Sequence, residues 1–102
     1  MKVIVRPQFH LDVEEEVYWL LVNAGVDVAQ RWHRAVWRAV EMLKTHPRIG
    51  REREDLNQSG IRSWRIKDFP RWLVFYSVDK ENLVLYRIRS GFMDLTGLGM
   101  RS

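Results

Sequence analysis

The stretch GIRSWRIKDFPRWLVFY (residues 60–76), followed by LVLYRIRSGFMDL (residues 83–95), decides how this chain folds. Short apolar runs carry arginines on and between them. Residues 61–67 alternate, residues 71–78 are nearly continuously apolar from Trp72 to Tyr76, and residues 83–89 are apolar with basic interruptions. Runs of this length, rich in aromatic and β-branched side chains, read as strands. Asp68-Phe69-Pro70 turns between the first two, and Asp79-Lys80-Glu81-Asn82 makes a hairpin loop before the third. The last two strands are therefore expected to be antiparallel neighbours. The continuous middle run suits a central strand.

Strict alternation sorts the side chains of the outer two. On the first, Ile61, Ser63, Arg65 and Lys67 share one face, and Arg62, Trp64 and Ile66 the other. On the last, Leu83, Leu85, Arg87 and Arg89 share a face, and Val84, Tyr86 and Ile88 oppose it. With Trp64 and Ile66 turned to a core, Arg65, Lys67, Arg87 and Arg89 are expected to converge on the open side of the sheet.

Outward from this segment, residues 48–60 alternate in charge (Arg51, Glu52, Arg53, Glu54, Asp55) and read as a solvated link with no fixed site. Before it lies a helix from Asp27, its expected N-cap, to Thr45. Ala29, Trp32, Val36, Val40 and Leu43 form its apolar stripe, with Arg31, Arg34, Arg38, Glu41 and Lys44 opposite. His46-Pro47 ends it, because proline disfavours helix in the residue before it. An earlier helix spans residues 11–24, with Val13, Val17, Leu20 and Ala24 on one stripe. Asp12 and Glu14, Glu15 and Glu16 are placed in its first turns, where carboxylates suit the helix dipole. Gly25 stops it and leaves a tight connection, so the two helices form an antiparallel hairpin. Tyr18, Trp19 and Val22 point away from the stripe, a candidate patch for a partner or for self-association. Residues 2–6 alternate weakly as a short strand ended by Pro7.

The order β-α-α-β-β-β predicts an α+β domain: an N-terminal strand and a helix hairpin packed on one face of a small antiparallel sheet. At 102 residues, one domain spanning residues 1–102 is expected. There is no cysteine, which excludes disulfides and thiolate metal sites. No run approaches the roughly 18 apolar residues of a membrane span, and the N-terminal apolar run is too short for a signal peptide. A soluble, cytoplasmic protein is the expectation.

The net charge of +4 conceals an asymmetry. Residues 1–27 hold two basic and five acidic side chains, a net of −3; the remaining 75 hold 15 basic and 8 acidic, a net of +7. An acidic start on a basic body points to an acidic partner, either nucleic acid or a protein segment. Thirteen of the 17 basic residues are arginine, whose planar guanidinium grips phosphate or carboxylate bidentately. His10, His33 and His46 are not at metal-ligand spacing, no Gly-rich phosphate loop occurs, and no serine sits in a nucleophile elbow. No catalytic residue, metal or cofactor is assigned.

These pieces, in order, resemble the RelE/ParE superfamily of toxins from bacterial type II toxin–antitoxin modules, and more closely its ParE, or plasmid-stabilisation, branch. The likeness runs from the first strand and Pro7 through DVEEE (residues 12–16) and HPRIGR (residues 46–51), where the family has a Pro-x-x-Gly-Arg run. It continues through Gly60-Ile61-Arg62, IKDF (residues 66–69), RWLVFY (residues 71–76) and LYRIRSGFMDL (residues 85–95). The family's last motif often reads His-Gly-x-Arg-Asp; here Ser90 and Met93 stand in place of its His and Arg.

The resemblance implies two helices on a small antiparallel sheet. It also implies a cognate antitoxin, encoded alongside, that wraps a partly disordered segment over the toxin in a hetero-oligomer. ParE-type members poison DNA gyrase and are not enzymes. RelE-type members cut mRNA on the ribosome with basic residues and a C-terminal Tyr or His. Leu73 occupies the strand position where RelE-type nucleases carry arginine, and the chain after Gly91 holds neither Tyr nor His. The expectation is therefore a gyrase-binding toxin, with Arg62, Arg65, Lys67, Arg87 and Arg89 engaging target or antitoxin, and Trp19 and Val22 serving antitoxin or self-association. The alternatives are a ribosome-dependent mRNA endonuclease on the same face, or an inactive relative that only binds antitoxin.

Overall fold

The elements follow the order β1 (Lys2–Val5), α1 (Pro7–Asn23), α2 (Val26–Thr45), β2 (Arg51–Glu52), β3 (Arg62–Ile66), β4 (Phe69–Asp79) and β5 (Asn82–Ser90) in a computed structural model that describes residues 1–56 and 58–91. The five strands form one sheet in the order β1-β5-β4-β3-β2. The helix hairpin covers one face of it. The α+β architecture read from the sequence is the one observed. Residues 92–102, including Met93, lie outside the described residues.

Two features of the sheet differ from the expectation. It is mixed, because β1 pairs parallel with β5, Lys2 opposite Asn82 and Val5 opposite Leu85. Nothing local in four residues encodes a partner some 80 residues away. The link between 48 and 60 is also more than a loop. Arg51 and Glu52 pair antiparallel with Ser63 and Arg62. Gly50 makes that approach possible: its N–H donates to the Tyr76 hydroxyl (2.9 Å), and a Cβ there would overlap Tyr76 and sit 2.9 Å from the Ser63 carbonyl.

α1 begins four residues earlier than the stripe suggested. Pro7 takes the first helical position, where its missing N–H costs nothing and its fixed φ is already helical. Phe9 thereby enters the helix and is fully buried, 6.0 Å edge-on from Trp37. With the start at Pro7, the first turn holds no acidic residue, so Asp12 does not serve the helix dipole as the sequence reading had it. α2 keeps its stripe: Ala29, Trp32, Val36, Val40 and Leu43 are all buried. Its N-cap is Gly25, at φ 99°, and Asp27 sits in the first turn instead.

The main core lies between this stripe and the helix-facing side of β3, β4 and β5, with Trp32 edge-on to Trp72 at 5.2 Å. Each fully buried large side chain contributes about 1.5–3 kcal/mol. A smaller cluster of Ile61, Leu73 and Phe75 sits on the opposite face.

Two register shifts redistribute side chains between these faces. One falls between Phe75 and Tyr76, where Arg87 opposes Phe75 but Leu85 opposes Tyr76, so β5 carries Tyr86 as an extra residue. Leu83, Leu85 and Ile88 therefore all reach the main core, and strict alternation fails between 85 and 88. The other shift, between Arg65 and Ile66, lies where β3 turns into β4.

Candidate functional site

The basic residues singled out from the sequence do not form one open platform. Arg87 and Arg89 lie in register with Phe75 and Leu73, on the side away from the helices. Their guanidinium groups nevertheless turn round the sheet edge to Asp12 of α1. β1 pairs with β5 only through Leu85, where the Arg6 N–H donates its last ladder bond (3.0 Å). Pro7 then starts α1, which runs beside the rest of β5. The Asp12 carboxylate takes over as edge partner. It accepts from the Ile88 backbone N–H (3.1 Å) and from Arg87 Nε (2.8 Å) and Nη2 (3.1 Å), with Arg89 Nη1 at 3.7 Å. The side chain of Asp12 is 2% exposed. A carboxylate so enclosed requires this pairing, since an uncompensated buried charge is expensive.

Arg62 is also committed internally. It donates to the carbonyls of Arg48 (3.0 Å) and Gly50 (2.8 Å) and pairs with Glu52 (3.1 Å), holding the chain that enters β2. Arg65 is exposed on the open face and gives one guanidinium bond to the Pro70 carbonyl (2.6 Å). Lys67 is not beside it. The β3–β4 turn carries Lys67 to the helix side, where it borders a pocket with Trp64, Ala39 and Met42. The expected convergence of Arg65, Lys67, Arg87 and Arg89 on one open face thus resolves into two cations held at the β5 edge and two on opposite sides of β3.

Arg53, expected in a solvated link, is 8% exposed and packs over the Phe75 ring at 5.5 Å. It pairs with Asp55 (2.6 and 2.8 Å) and reaches Ser63 Oγ (3.3 Å). The hydrogen bond from Arg53 holds the Asp55 carboxyl down to about 2, with further help from the charge of Arg51. Mixed charge over residues 51–55 gave no sign of this.

Around these groups run two grooves. One, of about 560 Å³, lies between α1 and the ends of β4 and β5, with Trp19, Trp72 and Ile88 on its apolar walls and Glu15, Glu16 and Arg71 at its margins. Burial pushes the Glu16 carboxyl up. The other, of about 580 Å³, lies on the open face between Arg51, Arg65 and Leu73. Trp19 is 55% exposed and Val22 65%, with Tyr18 and Leu11 also exposed along α1, so the outward patch read from the helical wheel is present. His33 accepts from Trp37 Nε1 (3.1 Å), a contact on the surface of α2. Among the described residues, no group of three or more metal-ligating side chains occurs.

The family described as "ParE toxin of type II toxin-antitoxin system, parDE" matches residues 3–95. The chain belongs to the ParE toxin family. Toxin ParE3 of Caulobacter vibrioides is 36% identical over 73 residues, which cover 72% of this chain and 69% of that relative. The fold recurs in a solved structure titled "Chromosomal ParDE TA system from P. aeruginosa", at TM-score 0.74 and 16% identity, over 88% of this chain and 95% of that one. Within this ParE-type toxin of a type II toxin–antitoxin system, Leu73 is buried between Ile61 and Phe75, and Ser90 ends β5. No helix among the described residues is long and apolar enough to cross a membrane.

Proposed function

We propose that this toxin acts in the cytoplasm by binding DNA gyrase, without cutting RNA, and that an antitoxin encoded beside it neutralises it by forming a complex with it. The match to the ParE family over nearly the whole chain carries this reading. The charge layout supports it. Cleaving a phosphodiester needs cations converging on the phosphate and a group to move the proton. Here Arg62, Arg87 and Arg89 are engaged by internal partners, and Arg65 and Lys67 stand apart. On the open face, Ile61, Leu73 and Phe75 form a buried cluster, and the Arg53 that covers Phe75 is paired with Asp55. Cations that are mostly engaged by internal partners suit recognition of a protein surface better than cleavage of a phosphodiester.

The test is a supercoiling assay with purified gyrase and toxin, with a parallel measurement of trapped cleavage complex. Inhibition or trapping is expected at equimolar toxin, relieved by the antitoxin. Full supercoiling with no trapped complex at excess toxin overturns the gyrase reading. Codon-phased cuts in mRNA after induction would establish the nuclease alternative in its place. Growth unaffected by toxin without antitoxin would leave a chain that binds only its antitoxin.

A further inference from the structure

The outer edge of β3 is left open where β2 ends. β2 pairs only with Arg62 and Ser63, its last partner being Arg51 opposite Ser63. The Arg53 N–H donates to the Ile61 carbonyl (2.8 Å), so Ile61 turns its backbone groups to this edge, and so, two residues apart, do Ser63 and Arg65. At Arg65 there is no β2 residue left to receive them. An unpaired strand edge is a template for another chain.

The two sides of this edge differ in chemistry. On the helix side lies a pocket of about 320 Å³ floored by Ala35, Ala39, Met42 and Trp64. Arg38 and Lys67 stand on its rim against a single carboxylate, Asp68. On the open side, Arg51 and Arg65 flank the groove over Leu73. Trp64 borders both hollows. Arg38, Arg51, Arg65 and Lys67 make no ion pair among the described residues. An extended segment laid along β3 alternates its side chains between the two sides, one residue in two to each.

We infer that the outer edge of β3 receives an extended segment of the antitoxin, with an apolar side chain in the Trp64 pocket and acidic side chains against Arg38 and Lys67 on one side and Arg51 and Arg65 on the other. This rests on the proposal that a cognate antitoxin exists. The charge of the surface selects this occupant over a second copy of the chain: two edges of this kind would bring four cations against four. Backbone pairing at an edge, with alternate side chains in pockets, is a general mode of peptide recognition.

The antitoxin from the neighbouring reading frame is titrated calorimetrically into three toxins. Arg38→Glu/Lys67→Glu should weaken binding by roughly 10–100-fold, since two attractive contacts become repulsive. Arg31→Glu/Arg34→Glu, with the same change in net charge on exposed positions of α2, should shift affinity by less than about threefold. Ala35→Phe, which fills the pocket floor, should weaken binding by about tenfold or more while circular dichroism stays that of the wild type. Amide exchange at Arg65 should slow in the complex. Equal losses from the two charge reversals overturn the inference, because net charge alone would explain both. So does an unprotected Arg65 amide, or a wild-type dimer that Arg38→Glu/Lys67→Glu dissolves. Failure of the wild type to bind the antitoxin removes the module reading itself, and the inference with it. Gyrase inhibition by free Arg38→Glu/Lys67→Glu is read separately and reports on the target alone.

Discussion

Replacing Asp12 by asparagine tests whether the α1–β5 edge is held by charge. The substitution keeps shape and one acceptor oxygen but removes the negative charge between two guanidinium groups. Arg87 and Arg89 are 12% and 27% exposed in their side chains, and Arg89 Nε is already buried without a hydrogen-bond partner. Removing one member of a buried pair costs about 3–5 kcal/mol. The lower end, about 3 kcal/mol, applies here, because Arg89 keeps some water and the amide oxygen can still accept from Ile88 or Arg87. Against a total stability of about 5–15 kcal/mol this is a large share. At 4–8 °C per kcal/mol for a small domain, Tm should fall by roughly 12–24 °C. Urea unfolding followed by tryptophan fluorescence, with five tryptophans as reporters, measures it directly. Arg87→Gln added to Asp12→Asn should cost less than the two single losses together, since the cation no longer lacks its carboxylate. If Asp12→Asn lies within about 0.5 kcal/mol of wild type, the cluster behaves as an exposed ion pair and the edge-latch account is wrong.

Three further outcomes follow from local geometry. Tyr76→Phe leaves the buried Gly50 N–H without its acceptor and should cost about 1–3 kcal/mol in urea unfolding, whereas Gly50→Ala should cost more, because its Cβ would meet both the Tyr76 ring and the Ser63 carbonyl. The Asp55 carboxyl is held at about 2 in the folded chain, below its unfolded value, so its contribution is present above about pH 4 and is lost as pH falls towards 2. Urea midpoints across that window should fall less steeply for Asp55→Asn than for wild type, by under about 1 kcal/mol since Asp55 is half exposed. Val22→Glu, on the exposed face of α1, should leave stability within about 0.5 kcal/mol and weaken association with the antitoxin or with itself, read by light scattering after gel filtration.

How far the sequence reached is clearest at particular residues. The stripe Ala29, Trp32, Val36, Val40, Leu43 was legible because a helix repeats its environment every turn, and each of these residues is buried as read. Trp72 to Tyr76 announced a central strand because both its faces are covered. Pro7 misled in one direction only: it does end β1, but it also opens α1, and the acidic residues after it then fall in later turns. Arg53 was illegible because its cover over Phe75 depends on a two-residue strand that Gly50 alone makes possible. On the site, exposure of Trp19, Val22 and Arg65 was readable from face assignments, while the partners of Arg62, Arg87 and Arg89 were not.

The sequence by itself determined the order of the helices and the longer strands, the apolar stripe of α2, the β3–β4–β5 meander and the family. These are local patterns, fixed by side-chain period and turn chemistry within a few residues. Of the α1 stripe, Val13 and Leu20 are buried but Ala24 is exposed beyond the helix end. Tertiary structure alone decided that β1 runs parallel to β5, that Tyr86 bulges and resets the faces of β5, and that Asp12 draws Arg87 and Arg89 round the sheet edge. The first and last join residues far apart in the chain, and the bulge depends on how two strands pair, which neither strand records alone. Such contacts form because an open strand edge and a buried carboxylate must find partners once the sheet closes, and no local period records which partner is within reach.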